Sequence, residues 1–143
     1  MTVEEDAHRA WAIIAELFLS NEQHDRFHAA CEEIGLPHPG ALKLLLKLGE
    51  PEPPTMGDVA RLLNCDASYV TGLVDTLEEP GLAERRVSAR DRRVKTIHLT
   101  DSGVQARQRV REILSVPPPR MGRLTAAETK TLARLLEKLT IDL

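Results

Sequence analysis

The stretch from Thr55 to Thr100 constrains this chain most, because short helical patterns and chain breaks follow one another there at close spacing. Thr55 and Asp58 resemble a capping box, in which the side chain of each residue bonds the backbone N–H of the other at the start of a helix. Asn64 and Cys65 interrupt the helical pattern. Between these signals, apolar residues recur at the i, i+3, i+4 and i+7 spacing of one helix face: Met56, Val59, Ala60 and Leu63. A short amphipathic helix is therefore predicted.

A second short helix is predicted directly after the break. Asp66 is placed as its N-cap, since a carboxylate there can accept hydrogen bonds from the free backbone N–H groups of the first turn. Pro80 and Gly81 end the pattern, because proline disfavours helical geometry in the preceding residue and glycine readily adopts a positive φ. The same apolar spacing recurs at Val70, Leu73, Val74 and Leu77. The outer face then consists of Ser68, Tyr69, Thr71, Gly72, Asp75 and Thr76.

A charged β-hairpin is predicted to follow. Leu82–Val87 and Val94–Leu99 are short β-compatible runs that flank a polar tip. From position 85 to position 95, six basic residues accompany a single acid, Asp91; the basic residues are Arg85, Arg86, Arg90, Arg92, Arg93 and Lys95. Two short helices and a basic hairpin predict a winged helix-turn-helix, whose second helix enters the major groove of DNA while the hairpin reaches the backbone or the minor groove.

The segments LEEPGLAER (77–85) and DRRVKTIHLTDSG (91–103) carry a family resemblance. Through them the sequence resembles the MarR family of bacterial winged-helix transcriptional regulators, and the helices before and after match that family in length and order. Two positions depart from the pattern: Gly72 stands where arginine is common, and Cys65 where an aliphatic residue is usual. The residues that carry the likeness are Leu77, Gly81, Leu82, Arg85, Asp91, Arg93, Leu99, Thr100 and Gly103.

The resemblance implies a transcriptional repressor that binds a pseudo-palindromic operator as a homodimer, with no catalysis and no cofactor. It implies a helical dimer interface made from both ends of the chain, and two-fold symmetry would place two reading helices roughly 34 Å apart, one turn of DNA. It also implies release by a small anionic or phenolic ligand, bound between the dimer helices and the reading unit. By resemblance, Arg90 enters the minor groove, while Arg86 and Arg92 lie on phosphates.

The predicted DNA-binding residues fall into two groups. Ser68, Tyr69 and Thr71 are expected to contact base edges and so to choose the sequence. Phosphate neutralisation would make affinity fall steeply with salt, and it is assigned to Arg85, Arg86, Arg90, Arg92 and Arg93. Asp91 is expected to form a pair with Arg93, two residues further on and on the same strand face, and so to shape the tip of the hairpin.

Charge is divided unevenly along the chain. Residues 1–80 carry 5 basic and 15 acidic side chains, whereas residues 81–123 carry 11 basic and 4 acidic ones. The net charge of −3 does not exclude DNA as a partner, because charges more than roughly 10 Å apart are screened at ordinary salt. Aromatic residues make up only 3% of the chain, so the core must consist of Leu, Val, Ile and Ala, which favours helices over a β-sandwich.

Amphipathic helical patterns occupy both ends of the chain, at Glu4–Ser20, at Asn21–Ile34 and after a capping box formed by Thr125 and Glu128. Ala41–Leu48 is apolar nearly all round, which predicts a central helix packed on both sides.

The predicted fold is mainly α with a small β-hairpin wing. We expect residues 1–36 and 101–143 to form a helical dimerisation region, and residues 37–100 to form the winged helix-turn-helix domain. The sequence has no apolar run long enough for a membrane span and no signal-peptide pattern, so a cytoplasmic protein with no membrane partner is expected.

Other interpretations stay open at this point. His24, His28 and Cys31 stand at i, i+4 and i+7 and could supply ligands to one metal ion, yet Cys31 is also in phase with apolar neighbours and would then pack as a small hydrophobe. Redox sensing through Cys31 or Cys65 is a further alternative. A protein-interaction module that has lost DNA binding is supported by Gly72 and by the acidic first half of the chain. The sequence has no motif typical of an enzyme active site.

Overall fold

The structure is a computed structural model that describes residues 2–49 and 52–140. Within these ranges the chain forms seven α-helices, a short 3₁₀ helix and one hairpin of two antiparallel strands, which confirms the predicted mainly helical fold with a β-hairpin wing. The elements are α1 (Val3–Leu19), α2 (Asn21–Glu33), α3 (Pro39–Lys47), α4 (Met56–Leu63), α5 (Ala67–Glu78), β1 (Ala83–Val87), β2 (Lys95–Leu99), α6 (Asp101–Ser115), the 3₁₀ helix (Pro119–Arg123) and α7 (Ala126–Leu139).

The predicted helix starts are confirmed. Thr55 and Asp58 form a full capping box at α4, and Thr125 and Glu128 form another at α7. Asp66 caps α5, where its Oδ1 accepts a hydrogen bond from the backbone N–H of Tyr69 at 2.8 Å. These side chains satisfy N–H groups that a helix leaves unpaired in its first turn, so the chain itself fixes where each helix begins.

The core is built around α3, as its apolar sequence predicts. Leu42, Leu44 and Leu45 are fully buried, and α3 packs against α2, α5 and α6. On the inner face of α5 the four residues of the predicted apolar stripe are all buried: Val70, Leu73, Val74 and Leu77. The solvent-facing side of α5 is thereby fixed, because the helix can turn no other face outward without exposing this stripe.

The hairpin pairs β1 with β2 in antiparallel register, from Ala83 opposite Leu99 to Val87 opposite Lys95. The segment before α4 adds a short third pairing that the sequence did not reveal. Thr55 forms an isolated bridge with Thr96, and the backbone N–H of Ile97 donates to the carbonyl of Pro54 at 2.9 Å. The wing is thus hydrogen-bonded to the start of the helix-turn-helix as well as packed against it.

The joint between the wing and α6 leaves no room for a side chain at Gly103. A Cβ atom on this residue would collide with the backbone carbonyl oxygen of Leu82. Thr100 holds the same joint, since its hydroxyl donates to the carbonyl of Gly81 at 2.5 Å and accepts from the N–H of Gly103 at 3.0 Å. Glycine at 103 therefore lets α6 approach the β-hairpin closely.

Arg107 connects α6 to α3. Among the described residues, Arg107 is the one charged residue that is buried. Its Nη1 donates a hydrogen bond to the carbonyl of Leu48, directly after α3. A cation there also interacts favourably with the negative end of the α3 dipole.

The helices at the two ends of the chain are exposed along their apolar faces. Over the described residues, neither α1 nor α7 contains a buried side chain. Trp11 is 67% exposed and Phe18 70% exposed on α1, and Leu139 is 64% exposed on α7. In residues 2–49 and 52–140, no helix combines the length and the apolar character needed to cross a membrane.

Candidate nucleic-acid interface

The outer face of α5 presents Ser68, Tyr69 and Thr71 to solvent, as predicted. The Ser68 hydroxyl donates to Asp66 Oδ1 at 2.8 Å, and the Thr71 hydroxyl donates to the carbonyl of Ala67 at 3.0 Å. Because a hydroxyl has two acceptor lone pairs besides its one proton, both oxygens remain able to accept hydrogen bonds from base amino groups.

Asp66 holds this turn in place. The backbone N–H of Tyr69 and the hydroxyl of Ser68 both donate to its carboxylate, and these hydrogen bonds lower the pKa of Asp66 below its ordinary value. The cap is therefore ionised near neutral pH, and the first turn of α5 keeps its geometry.

Tyr69 reaches back across a groove towards α3. The residue is 50% exposed, and its hydroxyl lies over Gly40, in the first turn of α3. His38, at the N-cap of α3, lines the same groove, which the sequence did not associate with the interface. His38 stands 31 positions before Tyr69, and no periodicity or motif in the sequence joins the two segments.

Arg85 lies differently from the other predicted phosphate contacts. Its side chain is only 17% exposed; its guanidinium pairs with Glu78, lies 2.7 Å from Asp75 Oδ1 and donates to the carbonyl of Thr71 at 3.2 Å. Its backbone N–H donates to Glu78 Oε1 at 2.7 Å. Phosphate contact by Arg85 stays a prediction. To make that contact, the Arg85 guanidinium would have to give up its contacts with Asp75, Glu78 and Thr71. In this geometry Arg85 links β1 to α5 and thereby helps to set the angle between the wing and α5.

The remaining wing arginines are exposed. Arg86 pairs with its neighbour Glu84, and Arg90 Nη2 lies 3.9 Å from Glu52 Oε1 with the Arg90 side chain 88% exposed. Exposed pairs of this kind contribute little to stability, so they do not compete strongly with a phosphate. The exposed wing cations are Arg86, Arg90, Arg92, Arg93 and Lys95.

Residues 39–95 match the sequence profile of the MarR family, a range that runs from the start of α3 to the start of β2. This segment of the chain is therefore similar to the MarR family. A transcriptional regulatory protein for the hcr operon of Thauera aromatica is 37% identical over 82 residues, which make up 57% of this chain and 49% of that protein. The matched part thus spans about half the length of this relative.

Two solved structures have a similar fold. YusO from Bacillus subtilis aligns over 100% of both chains with a TM-score of 0.68 and 23% identity. The S. aureus MepR–DNA complex aligns over 89% of this chain and 99% of that one, with a TM-score of 0.58 and 23% identity. The similarity of fold therefore extends beyond the profile match into the terminal helices.

The paired Asp91 and Arg93 of the MarR-like motif are arranged differently from the prediction. Both lie in the tip of the wing, before β2 begins, instead of on one strand face. The carboxylate of Asp91 accepts from the backbone N–H of Arg93 at 2.9 Å, and no ion pair joins the two side chains in the described residues. Asp91 thus shapes the tip through the backbone, as an Asx turn, and leaves the Arg93 guanidinium exposed.

The candidate metal ligands are not gathered at one point. The rings of His24 and His28 meet edge to face with centroids 4.4 Å apart, but Cys31 is buried in the core. Burial raises the pKa of the Cys31 thiol, which disfavours the thiolate that a metal or an oxidant requires. Cys65 is partly buried and packs against the core. Among residues 2–49 and 52–140, no three His, Cys, Asp or Glu side chains form a group suited to a metal ion.

Proposed function

We propose that this protein is a transcriptional repressor of MarR type that binds a pseudo-palindromic operator as a homodimer. The observation that carries the proposal is a polar, solvent-facing side of α5 next to a wing with exposed arginines. A relative bears the name of an operon regulator, and a protein of similar fold has been solved in complex with DNA. Both support a DNA partner for this chain.

The proposal divides the work between the two elements. Ser68, Tyr69 and Thr71 on α5 enter the major groove and contact base edges, which discriminate one sequence from another. Arg86, Arg90, Arg92 and Arg93 neutralise phosphates, with Arg90 at the minor groove, so they supply affinity for any duplex. Arg85 is given a supporting role, because its guanidinium is engaged by Asp75 and Glu78.

The exposed apolar faces of α1 and α7 support dimerisation. Apolar helix faces in a soluble protein are normally covered, and a second copy of the same chain covers them in a self-complementary way. A two-fold axis between the terminal helices would present two α5 helices to one side of a duplex. The exposed apolar side chains on these helices include Trp11, Ile13, Leu17, Phe18, Leu135, Leu136 and Leu139.

Release by a small anionic or phenolic ligand completes the proposal, and its support is the family resemblance. Such a ligand must bind one spacing of the two α5 helices more tightly than another. A ligand with equal affinity for both spacings does not change the equilibrium between them.

The test is the salt dependence of binding, measured by fluorescence anisotropy on a labelled duplex of random sequence. If all eight arginines of a dimer contact phosphate, log K should fall with log salt at a slope of roughly −7. Arg90→Ala should reduce the slope by about two per dimer and weaken specific and random duplexes alike. Arg111→Ala removes the same charge from α6, away from the wing, and should leave the slope nearly unchanged. Salt-insensitive or absent binding would overturn the proposal and favour a protein-interaction module.

A further inference from the structure

We propose that the start of α3 positions the phenol of Tyr69, so that His38 and Gly40 help to set which base pairs α5 accepts. This inference rests on the proposed function and assigns a role to two residues outside the helix-turn-helix pair. His38 and Gly40 are named here the Tyr69 seat.

The seat is defined by close contacts around Gly40. A Cβ atom built on Gly40 would lie 2.7 Å from the hydroxyl oxygen of Tyr69, and 3.1 Å and 3.2 Å from Nδ1 and Cε1 of His38. Real Cβ atoms essentially never approach another heavy atom within 3.0 Å, and a carbon–oxygen contact needs more than 3 Å. The phenol can therefore occupy this place only because residue 40 is glycine, and the His38 ring lies next to the same space.

Residue 69 is held at its backbone, and its phenol is bounded on the α3 side. At the backbone, the N–H of Tyr69 is held by the carboxylate of Asp66 at 2.8 Å. At the far end, the hydroxyl rests against the Tyr69 seat, and in the described part of the chain it has no hydrogen-bond partner. A restrained aromatic side chain with a free hydroxyl loses little conformational entropy when it binds, which is the general advantage of preorganisation.

The groove beside the ring is open at Gly72. Gly72 follows Tyr69 by one helical turn on the same outer face, and a Cβ there would meet nothing within 4 Å. The phenol is thus bounded by α3 on one side and open to solvent on the other. Its position relative to a base edge then depends on residue 40, whereas sequence-independent affinity depends on the wing arginines.

A matched pair of glycine substitutions tests the inference. Gly40 and Gly57 are each the second residue of their helix, α3 and α4, so alanine brings the same gain in helix propensity at both. At Gly57 the nearest atom to a new Cβ is Thr55 Oγ1 at 3.8 Å, an ordinary contact. Only Gly40→Ala therefore displaces the phenol, while Gly57→Ala controls for the change in the helix itself.

The readout is selection of preferred duplexes from a randomised library by the native full chain and by each variant. Gly57→Ala should select the native sequences. Gly40→Ala should bind random duplex as the native chain does but change the preference at the base pairs next to Tyr69 by roughly tenfold, the scale of one lost base contact. His38→Ala, which removes the other wall of the Tyr69 seat, should change the same positions by a smaller factor.

A double substitution separates positioning from an unrelated effect of residue 40. In a Tyr69→Ala background there is no phenol to displace, so Gly40→Ala should have no further effect on preference. An equal effect in both backgrounds would overturn the inference. Tyr69 is the only tyrosine in the chain, so the NMR signals of a tyrosine-labelled sample report this ring without DNA. They should shift in Gly40→Ala and stay unchanged in Gly57→Ala.

These measurements distinguish the inference from the proposed function. If the native chain binds no duplex, the proposed function fails, whatever the tyrosine signals do. If the native chain binds and selects DNA, but Gly40→Ala retains both the native preference and the native tyrosine signals, the Tyr69 seat has no positioning role.

Discussion

Two regions of the chain have similar local helix signals but very different burial. One is the segment from α3 to β2, and the other consists of the terminal helices α1 and α7. α4 and α7 both begin with a capping box, and α1 begins with one as well, from Thr2 and Glu5. Yet α3 and α5 each bury four side chains, whereas α1 and α7 bury none over their described lengths. Short-range sequence signals therefore decide that a helix forms, and only its neighbours decide whether it is stabilised by packing.

The largest expected difference between the two regions is in leucine truncation. Leu45→Ala removes a fully buried side chain of α3 and should lower the free energy of unfolding by about 2–5 kcal/mol. Leu139→Ala removes an exposed side chain of α7 and should cost the protomer less than about 0.5 kcal/mol. Urea denaturation followed by circular dichroism measures both. Equal losses at low protein concentration would mean that α7 packs within its own chain.

A charge placed on α1 tests whether the exposed face of this helix is buried when two copies of the chain associate. Phe18→Glu should prevent self-association, because a carboxylate without a partner is costly to bury in an apolar interface. Sedimentation velocity should show a smaller species than the native chain at the same concentration, and the emission of Trp11, the only tryptophan, should move to the red. Val87→Glu, on the exposed part of the wing, is the control and should keep the native sedimentation.

Two glycine substitutions compare the close joint between the wing and α6 with the open face of α5. Gly103→Ala forces a Cβ against the carbonyl of Leu82 and should destabilise the fold by about 1–3 kcal/mol, as overpacking does. Gly72→Ala meets open space on α5 and should stabilise by up to about 1 kcal/mol through helix propensity. Thermal unfolding of the two variants should therefore shift in opposite directions. A neutral Gly103→Ala would mean that α6 can move away from the hairpin without cost.

The smallest expected effect concerns the capping boxes of α4 and α7. Hydrogen bonds from the Thr55 hydroxyl and then from its backbone N–H lower the pKa of Asp58 to about 2, and Thr125 lowers the pKa of Glu128 in the same direction. A folded-state pKa below the ordinary value stabilises the fold above the unfolded pKa, and the gain is lost as pH falls through the folded one. Asp58→Asn should therefore flatten the pH dependence of stability between about pH 4 and pH 2, as followed by denaturant titrations.

NMR titration of the carboxyl carbons gives an independent check on the caps. Asp58 and Glu128 should both titrate below ordinary Asp and Glu, and Thr55→Ala should return the Asp58 value towards normal while leaving Glu128 unchanged. An Asp58 titration near its ordinary pKa would contradict the hydrogen bonding at the start of α4.

The features that were predicted correctly from the sequence are those set by interactions between residues close together in the chain. Helix starts at Thr55, Asp66 and Thr125, the break at Asn64, and the buried stripe of α5 all follow from spacing and capping, which act within a few residues. The exposed site residues Ser68, Tyr69 and Thr71 follow from the same periodicity, since they are what the stripe leaves outside.

Long-range contacts were not predictable in this way. The seat of Tyr69 on α3, the pairing of Thr55 with Thr96 and the bond from Arg107 to Leu48 each join segments far apart in sequence, and only the packed fold brings them together. Arg85 shows the same limit. Its charge and place in the hairpin suggested a phosphate contact, but the carboxylates of Asp75 and Glu78 come within reach only when β1 folds against α5.

The hydrogen bond from Arg107 to the end of α3 has a mechanical consequence. α3 has nine residues, a stiff rod about 13 Å long, with the α6 guanidinium at one end and the ring of Tyr69 at the other. The same nine-residue helix therefore bears the Arg107 hydrogen bond at one end and the approach of the Tyr69 hydroxyl at the other. Any displacement of α3 along its axis would change the space beside that hydroxyl.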